Sequence, residues 1–186
     1  MTTQMRSRRS IDKLLKVAGP SETIKVISLA VREFHRDFSS NLPEFKEFLK
    51  EALSAVGQGD GDLASAVYAT VITIISNIRT DRPVRRIIDE VSRTVIDAAA
   101  LAKVDVEEAS RGLIEGIVDC AKQLKLNTSE AVSEAATAAV RAAYEINEGT
   151  GRQVQEALSG TLSGIKVILK NEPQRTEVLY ATSAVK

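Results

Sequence analysis

Residues 84–171 read VRRIIDEVSRTVIDAAALAKVD (84–105), VEEASRGLIEGIVDCAKQLKLN (106–127), TSEAVSEAATAAVRAAYEINEG (128–149) and TGRQVQEALSGTLSGIKVILKN (150–171), four lines that align at a step of 22 residues. Val91, Leu113, Ala135 and Ala157 share one column, Val95, Ile117, Ala139 and Thr161 a second, and Ala102, Leu124, Ile146 and Ile168 a third. Within each line these columns fall at helical spacing, so each line carries one apolar helical face. Repetition at this step marks stacked units, each too thin to stand alone.

Two arrangements fit such a step. A 22-residue period is two units of eleven, which suits one long rod with a right-handed supercoil. Separate helices fit better, because helix starts recur between the lines. Asp105 with Glu108, Asn127 with Glu130, and Thr150 with Gln153 each have capping-box spacing, and Pro83 stands before the first line. The expectation is four helices of about 18 residues over 83–170, joined by short turns and packed as antiparallel neighbours.

Small residues fill two further columns, Thr94, Gly116, Ala138, Gly160 and Ala98, Cys120, Ala142, Gly164. Gly112–Gly116 and Gly160–Gly164 both have the G-x-x-x-G pattern. A glycine inside a helix costs about 0.5–1 kcal/mol against alanine, so close approach of another helix is the expected compensation. Gly112, Gly116, Cys120, Ala138, Ala142, Gly160 and Gly164 are therefore the expected helix–helix interface, within the bundle or against another subunit. Alanine buries little apolar surface, and so thin a core points to a homo-oligomer or a helical protein partner.

Upstream, Ser21 begins a helix carrying Ile24, Ile27, Leu29, Val31, Phe34 and Phe38. Asn41-Leu42-Pro43-Glu44 opens another, with Phe45, Phe48, Leu49, Leu53 and Val56 on its face, ending in Gly57–Gly61. Leu63, Ala66, Val67, Thr70, Val71, Ile74, Ile75 and Ile78 then follow helical spacing without a miss. The uncharged run Leu63–Ile78 is 16 residues, about 24 Å as a helix. It reads as a buried core helix, being shorter than the ~20 residues of a membrane span. The whole reads as an all-α protein, an antiparallel bundle of seven or eight helices. Its parts are a basic arm over 1–20, N-terminal helices over 21–79, the repeat over 83–170 and a polar tail over 171–186.

The chain has 186 residues, 44% hydrophobic and 27% charged, with formal net charge zero. That balance speaks against specific nucleic-acid binding. One cysteine and one histidine, His35, exclude an internal disulfide and a His/Cys metal cluster. Cys120, in a column of alanine and glycine, reads as a packing residue. Asp60-Gly61-Asp62 lacks the later oxygen ligands of a calcium loop. Nothing points to an enzyme, a cofactor or a metal. The N-terminus has no apolar core behind its arginines, so a cytoplasmic protein is the simplest reading; its five Lys/Arg against one acid leave a mitochondrial presequence as the alternative. Arg6, Arg8, Arg9, Lys13 and Lys16, interleaved with aliphatics, could contact an anionic surface.

The Ala/Gly-rich lines over 84–170 resemble those of bacterial all-helical proteins of uncharacterised role. More distantly they are similar to phasins, which coat polyester granules, and to 22-residue apolipoprotein repeats. The regular glycines, and the lack of proline at each repeat, depart from the apolipoproteins. Two functions are thus expected. One is a non-catalytic scaffold that self-associates through small-residue helix faces. The other, implied by the resemblance, is a peripheral membrane or granule-surface protein.

Overall fold

The computed structural model describes residues 42–58, 61–77 and 83–170, together with the isolated Lys25. Among these residues are six helices: α1 (Leu42–Gly57), α2 (Leu63–Asn77), α3 (Val84–Ala102), α4 (Val106–Gln123), α5 (Thr128–Ile146) and α6 (Glu148–Leu158). A two-stranded antiparallel hairpin follows, β1 (Thr161–Leu162) and β2 (Ile165–Lys166). The described residues are all-α apart from that hairpin. The basic arm, His35, the helix expected from Ser21 apart from Lys25, Asn41, Asp60, Ile78 and the tail after Lys170 lie outside the described residues.

α4 and α5 start where a side chain caps the first turn, whereas α3 begins after Pro83 with no side-chain cap. Asp105 accepts hydrogen bonds from the backbone N–H groups of Glu107 and Glu108, and Asn127 accepts from Glu130. Each satisfies donors that a first helical turn leaves open. The third expected cap is displaced. Asn147, not Thr150, caps α6 by accepting from the Thr150 N–H, so the helix begins at Glu148. At the C-terminus of α3, Lys103 adopts the left-handed region (φ 57°, ψ 36°) and Val104 N–H reaches back to the Ala99 carbonyl. A side chain strains that conformation and glycine does not. Lys103→Gly is expected to raise stability by about 1 kcal/mol, read as a higher denaturation midpoint with unchanged slope.

The fourth line departs from expectation. Its helix is only 11 residues, and Gly160 and Gly164 are not helical. Gly160 has φ 97° where the chain leaves α6, and Ser163 (φ 49°) and Gly164 (φ 78°) form the two-residue turn between Leu162 and Ile165. Two positive φ angles at a two-residue loop define the turn that matches strand twist. The physical reason lies in Ser159-Gly160 and Ser163-Gly164, both turn dipeptides, with β-branched Thr161 and Ile165 between and after them.

Packing also differs from a bundle of sequence neighbours. α2 packs most extensively on α4, α3 on α5, and α1 on α3. From α1 to α5, helices next-but-one in sequence therefore lie side by side, the odd-numbered ones in one layer and α2 and α4 in the other, while α6 packs most extensively on its sequence neighbour α5. Three polar bridges repeat this relation. Lys46 Nζ donates to Asp97 (2.6 Å, α1 to α3), the Tyr68 hydroxyl to Asp119 (2.9 Å, α2 to α4) and Arg93 to Glu145 (α3 to α5). Their sequence separations are 51, 51 and 52 residues. Side-by-side helices run the same way: Arg85 meets Glu130 and Glu134 near the starts of α3 and α5, and Arg93 meets Glu145 further along both.

The alanines of α5 follow from this arrangement. The helix is covered by α3, α4 and α6, and strand β2 also lies against it. Ten of its residues are buried and seven of those are alanine. A helix enclosed on most of its circumference keeps interaxial distances near 8 Å only with small side chains. Its one wetter stripe is Glu130, Glu134, Thr137, Arg141 and Glu145.

Candidate functional site

The small-residue positions of α4 and α5 are buried within the chain's own packing. Gly112 and Gly116 are buried on the face of α4 that meets α2 of the same chain. A Cβ built on Gly112 would stand 2.8 Å from Ala64 Cα and C, and nearer still to the Ala64 carbonyl oxygen. One on Gly116 would stand 2.9 Å from Val71 Cβ and Cγ1 and 3.3 Å from the Tyr68 carbonyl oxygen. Cys120, one turn on, is buried, and burial together with the neighbouring Asp119 carboxylate pushes its thiol pKa up to about 12. It is therefore a packing group with no thiolate chemistry near neutral pH. Ala138 and Ala142 are buried on α5. Gly160 and Gly164 stand apart from these five. Both are exposed, and a Cβ on either would meet nothing within 4 Å. Neither lies in a helix or against one, contrary to the interface expected for them, and positive φ in a turn accounts for both glycines. Arg6, Arg8, Arg9, Lys13 and Lys16 lie outside the described residues.

Beside the glycine face, the Tyr68–Asp119 bridge fixes α2 on α4. The phenol donates to the carboxylate, which holds Asp119 below the usual carboxylate range and Tyr68 above the usual phenol value. For the acid, the folded pKa is depressed, so its contribution is complete above the ordinary carboxylate pKa and is lost as pH falls through the lower folded value. For the phenol, the folded pKa is raised, so its contribution is complete below the ordinary phenol pKa and is lost as pH rises through the higher folded value. Both groups are partly exposed, which reduces the bond to about 1 kcal/mol or less. Tyr68→Phe is expected to cost that amount at neutral pH. In denaturant titrations, its gap from the parent protein narrows at both acid and strongly alkaline pH.

The outer side of the odd-numbered layer carries two adjoining grooves. The first, about 500 Å³, runs between α1 and α3 and is lined by Leu42, Pro43, Lys46, Arg86, Asp89, Glu90, Arg93, Thr94 and Asp97. The second, about 430 Å³, runs between α3 and α5 and is lined by Arg85, Arg86, Asp89, Glu134, Thr137, Ala138, Arg141 and Lys170. Arg86 and Asp89 belong to both, so the grooves are continuous across α3. The chain after β2 closes the far wall. Ile168 N–H donates to Ser133 Oγ (3.1 Å) and Lys170 N–H to Thr137 Oγ1 (3.0 Å), which lays an extended strap along α5.

Most charges in these grooves are spent internally. Arg85 pairs with Glu130 at 2.6 Å and with Glu134 at 3.5 Å, Arg86 with Glu90 at 3.5 Å, and Lys170 with Glu134 at 3.8 Å. The second carboxylate oxygen of Glu134 is buried without a hydrogen-bond partner among the described residues. Asp89 and Arg141 make no ion pair among the described residues. From sequence, Asp89 and Glu90 read only as solvated helix charges. The distinguishing signal is that both wall a groove between next-but-one helices, which a linear pattern does not reveal.

No group of three or more His, Cys, Asp or Glu residues that could hold a metal occurs among the described residues, and no helix among them is long and apolar enough to cross a membrane. No protein family, characterised protein or solved structure was found to match the chain.

Proposed function

We propose that this protein is a non-catalytic helical scaffold that holds a protein partner on the outer face of α1, α3 and α5. The observation that carries this reading is the next-but-one packing with its evenly separated polar bridges. That is how α-solenoids stack helix pairs, and such stacks bind along an extended face of one layer. The 22-residue lines then serve as half-units, with a full unit of two helices. Self-association through small-residue faces is the less favoured form of the same idea, because Gly112 and Gly116 are already filled by α2. A peripheral lipid or granule role would draw on the basic arm, whereas the apolar faces of the described helices are spent in one core.

Amine-reactive cross-linking of the protein to its co-purifying partners, followed by peptide mapping, tests the proposal. Cross-links concentrated at Lys46 and Lys170, the groove lysines, are the expected result. Cross-links confined to lysines away from the grooves, such as Lys122 in the last turn of α4 and Lys125 just after it, would overturn it.

A further inference from the structure

Resting on the scaffold reading, the geometry points to a specific kind of partner: we infer that the continuous groove across α3 takes an extended polypeptide segment of mixed charge. The segment places an acidic side chain at Arg141 and a basic one at Asp89. Three observations lead there. Among the described residues Arg141 is exposed and makes no ion pair on one wall, while Asp89 makes none at the junction where the two grooves meet. The groove floor beside Arg141 is Ala138, a small side chain that leaves room between α3 and α5. Acids and bases alternate along the walls, so a uniform polyanion would meet Glu134 and Asp89 as repulsive neighbours, and a uniform polycation would meet the arginines. A segment carrying both signs matches the walls, and charges arranged in this way select partners more than they add affinity. A peptide backbone also suits an open channel between two helices better than a compact ligand does, because the space is long and unenclosed.

The test is selection from a displayed library of random peptides of roughly 12 residues, long enough to lie across both grooves when extended. The full chain serves as bait, with the charge-reversed variant Asp89→Lys/Arg141→Glu alongside. Neither side chain is buried and neither makes an ion pair among the described residues, so the variant is expected to keep the parent's circular dichroism and melting temperature. Enriched peptides should carry an acid and a base at a recurring spacing. Their binding should fall about tenfold or more on the variant, and peptides with the two charges exchanged should recover it there. That recovery also shows that the variant groove is folded. Enriched peptides that bind parent and variant equally would overturn the groove assignment while leaving the scaffold reading standing. Absence of any enrichment, together with cross-links away from Lys46 and Lys170, would overturn both.

Discussion

Gly112→Ala is expected to destabilise the protein by about 2–3 kcal/mol, lowering the melting temperature by roughly 5–10 °C. In an exposed helix the same change would stabilise by about 0.5–1 kcal/mol, because alanine loses less backbone freedom on folding. The sign reverses because the new Cβ meets backbone. Ala64 Cα and C would lie 2.8 Å away, and a carbonyl carbon held in a helix cannot rotate aside. α2 and α4 must separate, and the packing of Val67, Val71 and Leu113, all buried in the shared core, weakens with them. Gly116→Ala meets a side chain, Val71, which can turn, so its cost is smaller, about 1–2 kcal/mol. Gly160→Ala meets nothing, yet φ 97° disfavours it, and about 1 kcal/mol is lost. Thermal unfolding of these three variants separates a glycine kept for space from one kept for backbone freedom. An increase in stability for Gly112→Ala would mean that no helix lies there.

Ala139→Leu is expected to cost about 1–3 kcal/mol. Ala139 is wholly buried on α5, between helices packed on more than one side. A leucine added to a half-open amphipathic face would instead gain roughly 1–2 kcal/mol from apolar burial. The direction of the change therefore reports whether α5 is enclosed. Arg141→Ala, on the wet stripe of the same helix, should stay within about 0.5 kcal/mol of the parent. Chemical denaturation of both variants measures the contrast.

Much of this architecture is legible in the sequence where periodicity has a single interpretation. The apolar face of α1, from Phe45 to Val56, and that of α2, from Leu63 to Ile75, are buried as their spacing implies. Asp105 and Asn127 cap the helices they precede. The failures have particular causes. The 22-residue columns extend a helix past Leu158, whereas two Ser-Gly dipeptides there mark turns. Asn147 caps α6, whereas the register of the repeat points to Thr150, three residues later. The pairing of next-but-one helices has no local signal at all: Lys46 with Asp97, or Tyr68 with Asp119, joins residues that share no motif. The groove was illegible for the same reason, since its walls come from helices distant in sequence. The small-residue stripe did mark a place of close approach on α4, but sequence could not say whether the approaching backbone belonged to this chain or to another.

That last distinction is the most direct test. A sample mixed from isotope-labelled and unlabelled protein separates nuclear Overhauser contacts within a chain from those between chains. Contacts from Gly112 Hα to Ala64, and from Gly116 Hα to the Val71 methyls, should appear in the intrachain spectrum and be missing from the interchain one. Finding them only between chains, or finding Gly112 in contact with no part of α2, would contradict the account.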